Sequence, residues 1–217
     1  YASPADALGL WQALSTLVLC GLCWVVMVWS ASAWPLALPF LIMALSLLLL
    51  RVFVLMHECG HGSLFLSPHL NRWFGVVFGV LAGMPQFVWS KHHAYHHSTN
   101  GNWAKYRGPL AVITVDAYLG YTPQQQKRYQ RARSIFFAPI AGLMYLLINP
   151  RLNWLKGSVQ WLAYMVKQKW QSPRRPFADI AASFTTPYWE SAQAYRHMLL
   201  NNVLLFVFWG GMMAWMG

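Results

Sequence analysis

Residues 36–61 read LALPFLIMALSLLLLRVFVLMHECGH, and this stretch decides what kind of protein the chain forms. Residues 36–56 carry one charge, Arg51, among side chains that are almost all Leu, Ile, Val, Met, Phe and Ala. A helix that crosses a bilayer needs about 20 predominantly apolar residues, so 36–56 predicts a membrane span. The run ends abruptly in His57-Glu58-Cys59-Gly60-His61. Ionisable side chains at a span's end are costly to place there and mark function.

Working outward, residues 8–29 and 198–216 are likewise long and apolar enough to span, and the linker at 30–35 has no charge. Two apolar runs are shorter, 73–88 and 135–148. As straight helices they would measure about 24 and 21 Å, less than the ~30 Å hydrocarbon core. Gly75, Gly79, Gly83 and Pro85 weaken the first further, so both are expected as re-entrant or interfacial segments. Composition agrees: of 217 residues, 57% are hydrophobic and only 10% charged, against about 25% charged in ordinary soluble domains. Too little charge is present to cover a water-exposed surface. Fibrous, disordered and disulfide-scaffold classes are excluded by the absence of repeats, the few Pro/Gly tracts and the three cysteines. Cys20 and Cys23 spell C-x-x-C, but in mid-span, where packing is the expected role. Thirteen Trp suit a lipid–water boundary.

Sixteen Lys and Arg face five acids (Asp6, Glu58, Asp116, Asp179, Glu190), a net charge of +11. No nucleic-acid partner is expected, because the basic residues fall between lipid-length segments, as the positive-inside rule requires. Only Arg51 and Arg72 precede position 90, whereas 91–133 and 151–196 hold seven basic residues each. Both blocks are therefore expected in the cytoplasm, with 30–35 outside. Residues 152–170 combine Trp154, Leu155, Val159, Leu162, Met165 and Val166 with Lys156, Lys167 and Lys169, the pattern of a helix lying on the inner membrane surface. The expected fold is an all-α integral membrane protein of about three transmembrane helices plus re-entrant or interfacial helices.

Six of the eight histidines form two clusters. His57 and His61 stand at i and i+4, one helix face, so both imidazoles can reach one metal. Residues 89–101, WSKHHAYHHSTNG, place His93, His96 and His97 at i, i+3 and i+4, again one face, with His92 pointing elsewhere. Imidazole suits Fe, Zn and Cu. His69 and His197 stand alone and are expected to be structural. The first cluster also spells H-E-x-x-H, the signature of zinc proteases in which Glu58 would be the general base. An intramembrane metalloprotease is one alternative, yet it has no need of three more imidazoles in a second cluster. A bis-His haem anchor is another; it would take one His from each of two facing helices and has no need of three histidines within five residues.

H-E-C-G-H, an apolar hairpin, and then the histidine-rich stretch of 89–101 together resemble the membrane fatty-acid desaturases, with the flavour of bacterial delta-12/omega-6 acyl desaturases. The likeness in layout continues through 114–153 and the last span, and so covers essentially the whole chain. It implies a desaturase-like helical bundle and an O2-dependent oxidoreductase with two non-haem iron ions, acting on an acyl lipid or acyl thioester. An alkane or carotenoid hydroxylase of the same superfamily is the nearest alternative. By the resemblance, His57, His61, His93, His96 and His97 are metal ligands, with His92 and Glu58 as further candidates. The histidine boxes would face the cytoplasm, and electrons would come from a carrier such as ferredoxin or cytochrome b5. Lys91, Lys105 and Arg107 are placed to guide an acidic carrier. The family's third histidine box has no counterpart here. Residues 1–217 are accordingly expected as a single membrane-embedded domain, incomplete at its C-terminus and also at its N-terminus, and inactive alone.

Overall fold

The computed structural model describes residues 3–102, 105 and 113–216. Ten α-helices and no strand occur among the described residues. They group into two compact units, residues 1–94 with 199–217, and residues 95–198.

The first unit is built on α1 (Asp6–Ala33) and α2 (Leu38–His61), joined by a 3-10 turn, Pro35–Ala37. Asp6 lies in the first turn of α1, where a carboxylate complements the helix dipole. Its Oδ1 also accepts from the Ser67 N–H at 3.1 Å, tying the start of α1 to the chain beyond α2. Where the two helices meet, Ala13, Cys20, Leu45 and Val52 are buried. Fully buried Thr16 donates to the Gln12 carbonyl at 2.6 Å and accepts from Arg51 Nε at 2.8 Å, so the one charge of the second span is engaged by its neighbour. Outward the helices expose Trp11, Leu22, Trp29, Phe40 and Leu47. Such all-round apolarity belongs to a lipid-facing helix.

α1, the segment Pro35–His61 and residues Ala192–Trp215 are each long and apolar enough to cross a membrane. This agrees with the three spans expected from sequence and makes the chain an all-α membrane protein. C-x-x-C is structural as expected: Cys20 is buried and Cys23 is directed at the Leu41 carbonyl, 3.6 Å away.

After α2 the chain turns through Gly62 at φ +68°, a left-handed conformation that glycine adopts at little cost. Buried Asn71 staples the following loop by donating to the Phe65 carbonyl at 2.7 Å and accepting from the Phe65 N–H at 3.2 Å. Ser67 caps α3 (Pro68–Leu81), and Pro68 occupies its first turn, where a missing N–H costs nothing. The apolar run 73–88 is then broken at 82–85, where Gly83 takes φ +71°. α4 (Gln86–Thr99) leaves at 105° to α3. The third span, part of α10 (Ala192–Met216), is bonded to this corner at two points along its length. Asn201 donates to the Met84 carbonyl at 3.0 Å and Trp209 to the Val80 carbonyl at 3.3 Å.

The second unit contains α5 (Val115–Leu119), α6 (Pro123–Ala132), α7 (Ala138–Leu143), α8 (Asn149–Gln171) and α9 (Phe177–Ala182). The run 135–148 is not a separate segment. Its helix starts at Ala138 and passes through a π turn, Met144–Ile148, directly into α8. Pro150, in the first turn of α8, has no N–H to return to the Leu146 carbonyl, and the wider winding before it absorbs that mismatch. On α8, Leu155, Val159, Leu162 and Val166 form an exposed apolar stripe at i, i+4, i+7 and i+11, the arrangement expected of an interfacial helix.

Candidate metal centre

The last turn of α2 places His57 and His61 on one face, with ring centroids 4.5 Å apart. α4 reaches them because nothing larger than hydrogen stands between. A Cβ on Gly60 would lie 3.2 Å from Ser90 Cβ, closer than ordinary contact, and 3.6 Å from the Trp89 ring, in contact with it. A Cβ on Gly75 would lie 3.3 Å from Cys59 Cβ, so α3 is equally close to α2. Glycine at both positions allows three helices to converge on one point.

There His93 Nε2 lies 2.9 Å from His57 Nε2, and the His93 ring is 5.1 Å from that of His61. His97 follows one turn along α4, and ring nitrogens of His57, His61, His93 and His97 all lie within 4.8 Å of one another. Imidazole nitrogens sit about 2.0–2.1 Å from a zinc-like divalent ion, so two on one ion are about 3 Å apart at right angles and about 4.2 Å apart when opposite. The four nitrogens need only a small closing movement to satisfy that geometry, and neutral nitrogen donors suit iron, zinc or copper.

Trp89, four residues before His93, stacks on its ring at 4.5 Å with an interplanar angle of 14°. The same indole lies 5.7 Å from both His57 and Phe53, forming an apolar wall on one side. On the other side Glu58 Oε1 is 3.0 Å from His57 Nδ1. The hydroxyl of Ser63 donates to Glu58 Oε2 at 2.5 Å and to the Glu58 carbonyl at 3.1 Å.

Of the sequence candidates, His57, His61, His93 and His97 are thus brought together. His96 is not among them. At about 100° per residue it lies ~60° from His93 on the side opposite His97. His92 is exposed. Glu58 stands behind His57 rather than among the four nitrogens. His69 contacts Arg72 at 3.1 Å. Lys91 is exposed with its ammonium 4.9 Å over the Phe87 ring, and Arg107 lies outside the described residues. Gly60, Ser63 and Trp89 were not singled out from sequence. The i−4 spacing of Trp89 from His93 was the one signal that pointed to any of them.

The chain is similar to known proteins. The family model described as fatty acid desaturase matches residues 32–217. A fatty acid desaturase of Bacillus subtilis is 33% identical over 107 residues, 48% of this chain and 30% of that protein. An sn-1 acyl-lipid omega-3 desaturase (ferredoxin) of Synechocystis is 39% identical over 51 residues, 24% of this chain and 14% of that protein. An acyl-lipid omega-3 desaturase (cytochrome b5) of the endoplasmic reticulum in Arabidopsis thaliana is 28% identical over 112 residues, 41% of this chain and 29% of the relative. The matched stretches are therefore under a third of these relatives' lengths. No solved structure matches the chain. Membrane-length helices ending in clustered imidazoles, together with a family match over residues 32–217, lead to one conclusion: this chain belongs to the fatty acid desaturase family.

Proposed function

We propose that the chain supports O2-dependent desaturation of an acyl chain carried on a membrane lipid or a thioester. The observation that carries this reading is the meeting of imidazoles from two helices, His57 and His61 with His93 and His97, at the end of an apolar span. These four would hold metal, and His96, about 100° round α4 from His97, would serve a second ion on its own side. Two irons held there would supply the oxidising power for a reaction in which two C–H bonds of adjacent methylenes break, a C=C bond forms, and O2 with two electrons and two protons becomes two waters. The chain's own residues orient and shield. Trp89 and Phe53 present an apolar wall along one side of the imidazole cluster. The electrons would come from a carrier, in line with the ferredoxin and cytochrome b5 in two relatives' names. The basic residues Lys91, Lys105 and Arg107 would steer an acidic carrier toward a cytoplasmic face.

An H-E-x-x-H protease is less well supported, because its glutamate must be free to accept a proton from water. Here both Glu58 carboxylate oxygens are hydrogen-bonded within the protein. The test is to express the protein at its full natural length, and its His93→Ala variant, in a bacterial membrane supplied with a reductase and carrier. Acyl chains are then analysed by mass spectrometry. Products two mass units lighter, absent with the variant, support desaturation. Products sixteen units heavier would assign a hydroxylase instead, and no change in any lipid, with iron bound, would overturn the oxidative reading.

A further inference from the structure

We infer that Glu58, locked in place by Ser63, is a positioning residue for His57: it sets the tautomer and ring orientation in which Nε2 faces the other imidazoles. The inference rests on the metal-centre reading given above and adds a part to it.

Neighbours at i and i+1 on a helix do not face each other. The 3.0 Å contact between Glu58 Oε1 and His57 Nδ1 therefore needs the glutamate side chain to be turned back and kept there. Ser63 supplies the restraint. The left-handed turn at Gly62 brings the next residue back over the end of α2, so that the Ser63 N–H donates to the Glu58 carbonyl at 3.0 Å. Its hydroxyl then engages Glu58 Oε2 at 2.5 Å. Each carboxylate oxygen has one partner, His57 on one side and Ser63 on the other.

An ionised carboxylate only accepts hydrogen bonds, so His57 Nδ1 must be the donor. Neutral imidazole has a single N–H, which leaves Nε2 as the lone-pair nitrogen. That is the atom 2.9 Å from His93 Nε2, at the centre of the four-imidazole group. The carboxylate thus selects the tautomer a metal requires, and it stiffens the ring that meets α4. Outer partners of this kind commonly contribute 10- to 100-fold to metal affinity. Glu58 accordingly acts through His57 and is not itself a ligand.

Co(II) affinity of the purified full chain, measured by competition with a chromophoric chelator, tests this without requiring turnover. Glu58→Ala should weaken Co(II) binding 10- to 100-fold. Glu58→Gln should recover part of the loss, since its amide oxygen still accepts from Nδ1. Ser63→Ala, which removes only a hydroxyl, should weaken binding in the same direction by less. In a His57→Ala background neither Glu58 variant should change affinity further. An equal loss with and without His57 would show Glu58 to be a ligand, and no loss in any Glu58 or Ser63 variant would remove the positioning role; either overturns the inference. If His57→Ala and His93→Ala themselves left Co(II) affinity unchanged, the metal-centre reading would fall first. Losses there with none at Glu58 would overturn only the role of Glu58.

Discussion

Replacing Gly60 by Leu should open the imidazole cluster without touching a histidine. An added Cβ already stands 3.2 Å from Ser90 Cβ, short of the ~3.5–4.0 Å optimum for carbon contacts, and 3.6 Å from the Trp89 ring, with no room to spare. The rest of a leucine would extend farther, into space that Trp89 occupies beside His57 and His93. Overpacking of this kind typically costs about 1–3 kcal/mol. α2 and α4 relieve it by moving apart, and metal binding, which needs His57 Nε2 and His93 Nε2 near their present 2.9 Å, must draw them together again. If the whole strain returns on binding, Co(II) affinity falls about 5- to 150-fold, the equivalent of 1–3 kcal/mol. Gly60→Ala needs only a few tenths of an ångström of give and should fall at or below the lower end. Gly21→Leu is the control, since nothing lies within 4 Å of its added Cβ, and it should bind as the native chain does. Affinities from chelator competition, with helicity checked by circular dichroism, decide the matter. A Gly60→Leu chain that folds and binds Co(II) like the native chain would refute the claim that close approach of the two helices sets the site.

Further outcomes follow from the same geometry. Single Ala substitutions at His57, His61, His93 and His97 should each lower bound metal per chain, whereas His92→Ala and His69→Ala should not, as read by elemental analysis of purified protein. Asn71→Ala should lower the thermal unfolding midpoint, because it strands the buried Phe65 N–H and carbonyl, at about 1–3 kcal/mol for an unsatisfied buried group. Substitutions at Gly62 should rank Gly above Asn above Val in stability, because φ is +68° there and the left-handed region costs an ordinary residue about 1–2 kcal/mol.

The spans were legible because a bilayer imposes a length and a composition that few other environments impose, and 36–56 meets both with one exception, Arg51. That exception is also accounted for by sequence chemistry: a hydroxyl, Thr16, comes from the neighbouring span to meet it. The break after α3 was legible in outline from Gly79, Gly83 and Pro85, though not its 105° angle. The second histidine cluster was legible as a helix face, yet its membership was not. Positions i+3 and i+4 flank the same line on a helix. Whether His96 or His97 joins His93 depends on how α4 is rolled against α2. That roll is set by contacts of Gly60 with Ser90 and Trp89, residues with no metal chemistry to draw the eye. The run 135–148 stood out only as a short apolar stretch, and apolarity marks where lipid-like side chains end rather than where a helix ends. A π turn lets the helix pass on.

The bent pair also answers a physical problem posed by the histidines themselves. α4 carries Lys91 and four histidines within fourteen residues, and such a helix is too polar to sit in hydrocarbon. It must nevertheless reach His57 and His61, which end a span. α3 is apolar, but at fourteen residues, about 21 Å, it is too short to cross a core of about 30 Å. Its middle touches the last turn of α2, Gly75 against Cys59, level with the imidazoles. The chain therefore spends its apolar residues on α3, turns sharply at Gly83, and lays polar α4 across the end of the α2 span. The alternative, a single straight helix through 68–99, would carry His93 about 37 Å along its axis from Pro68. His57 and His93 could not then lie 2.9 Å apart. Straightening the corner, for instance with Gly83→Ala and Pro85→Ala together, should therefore abolish metal binding even though every imidazole is retained.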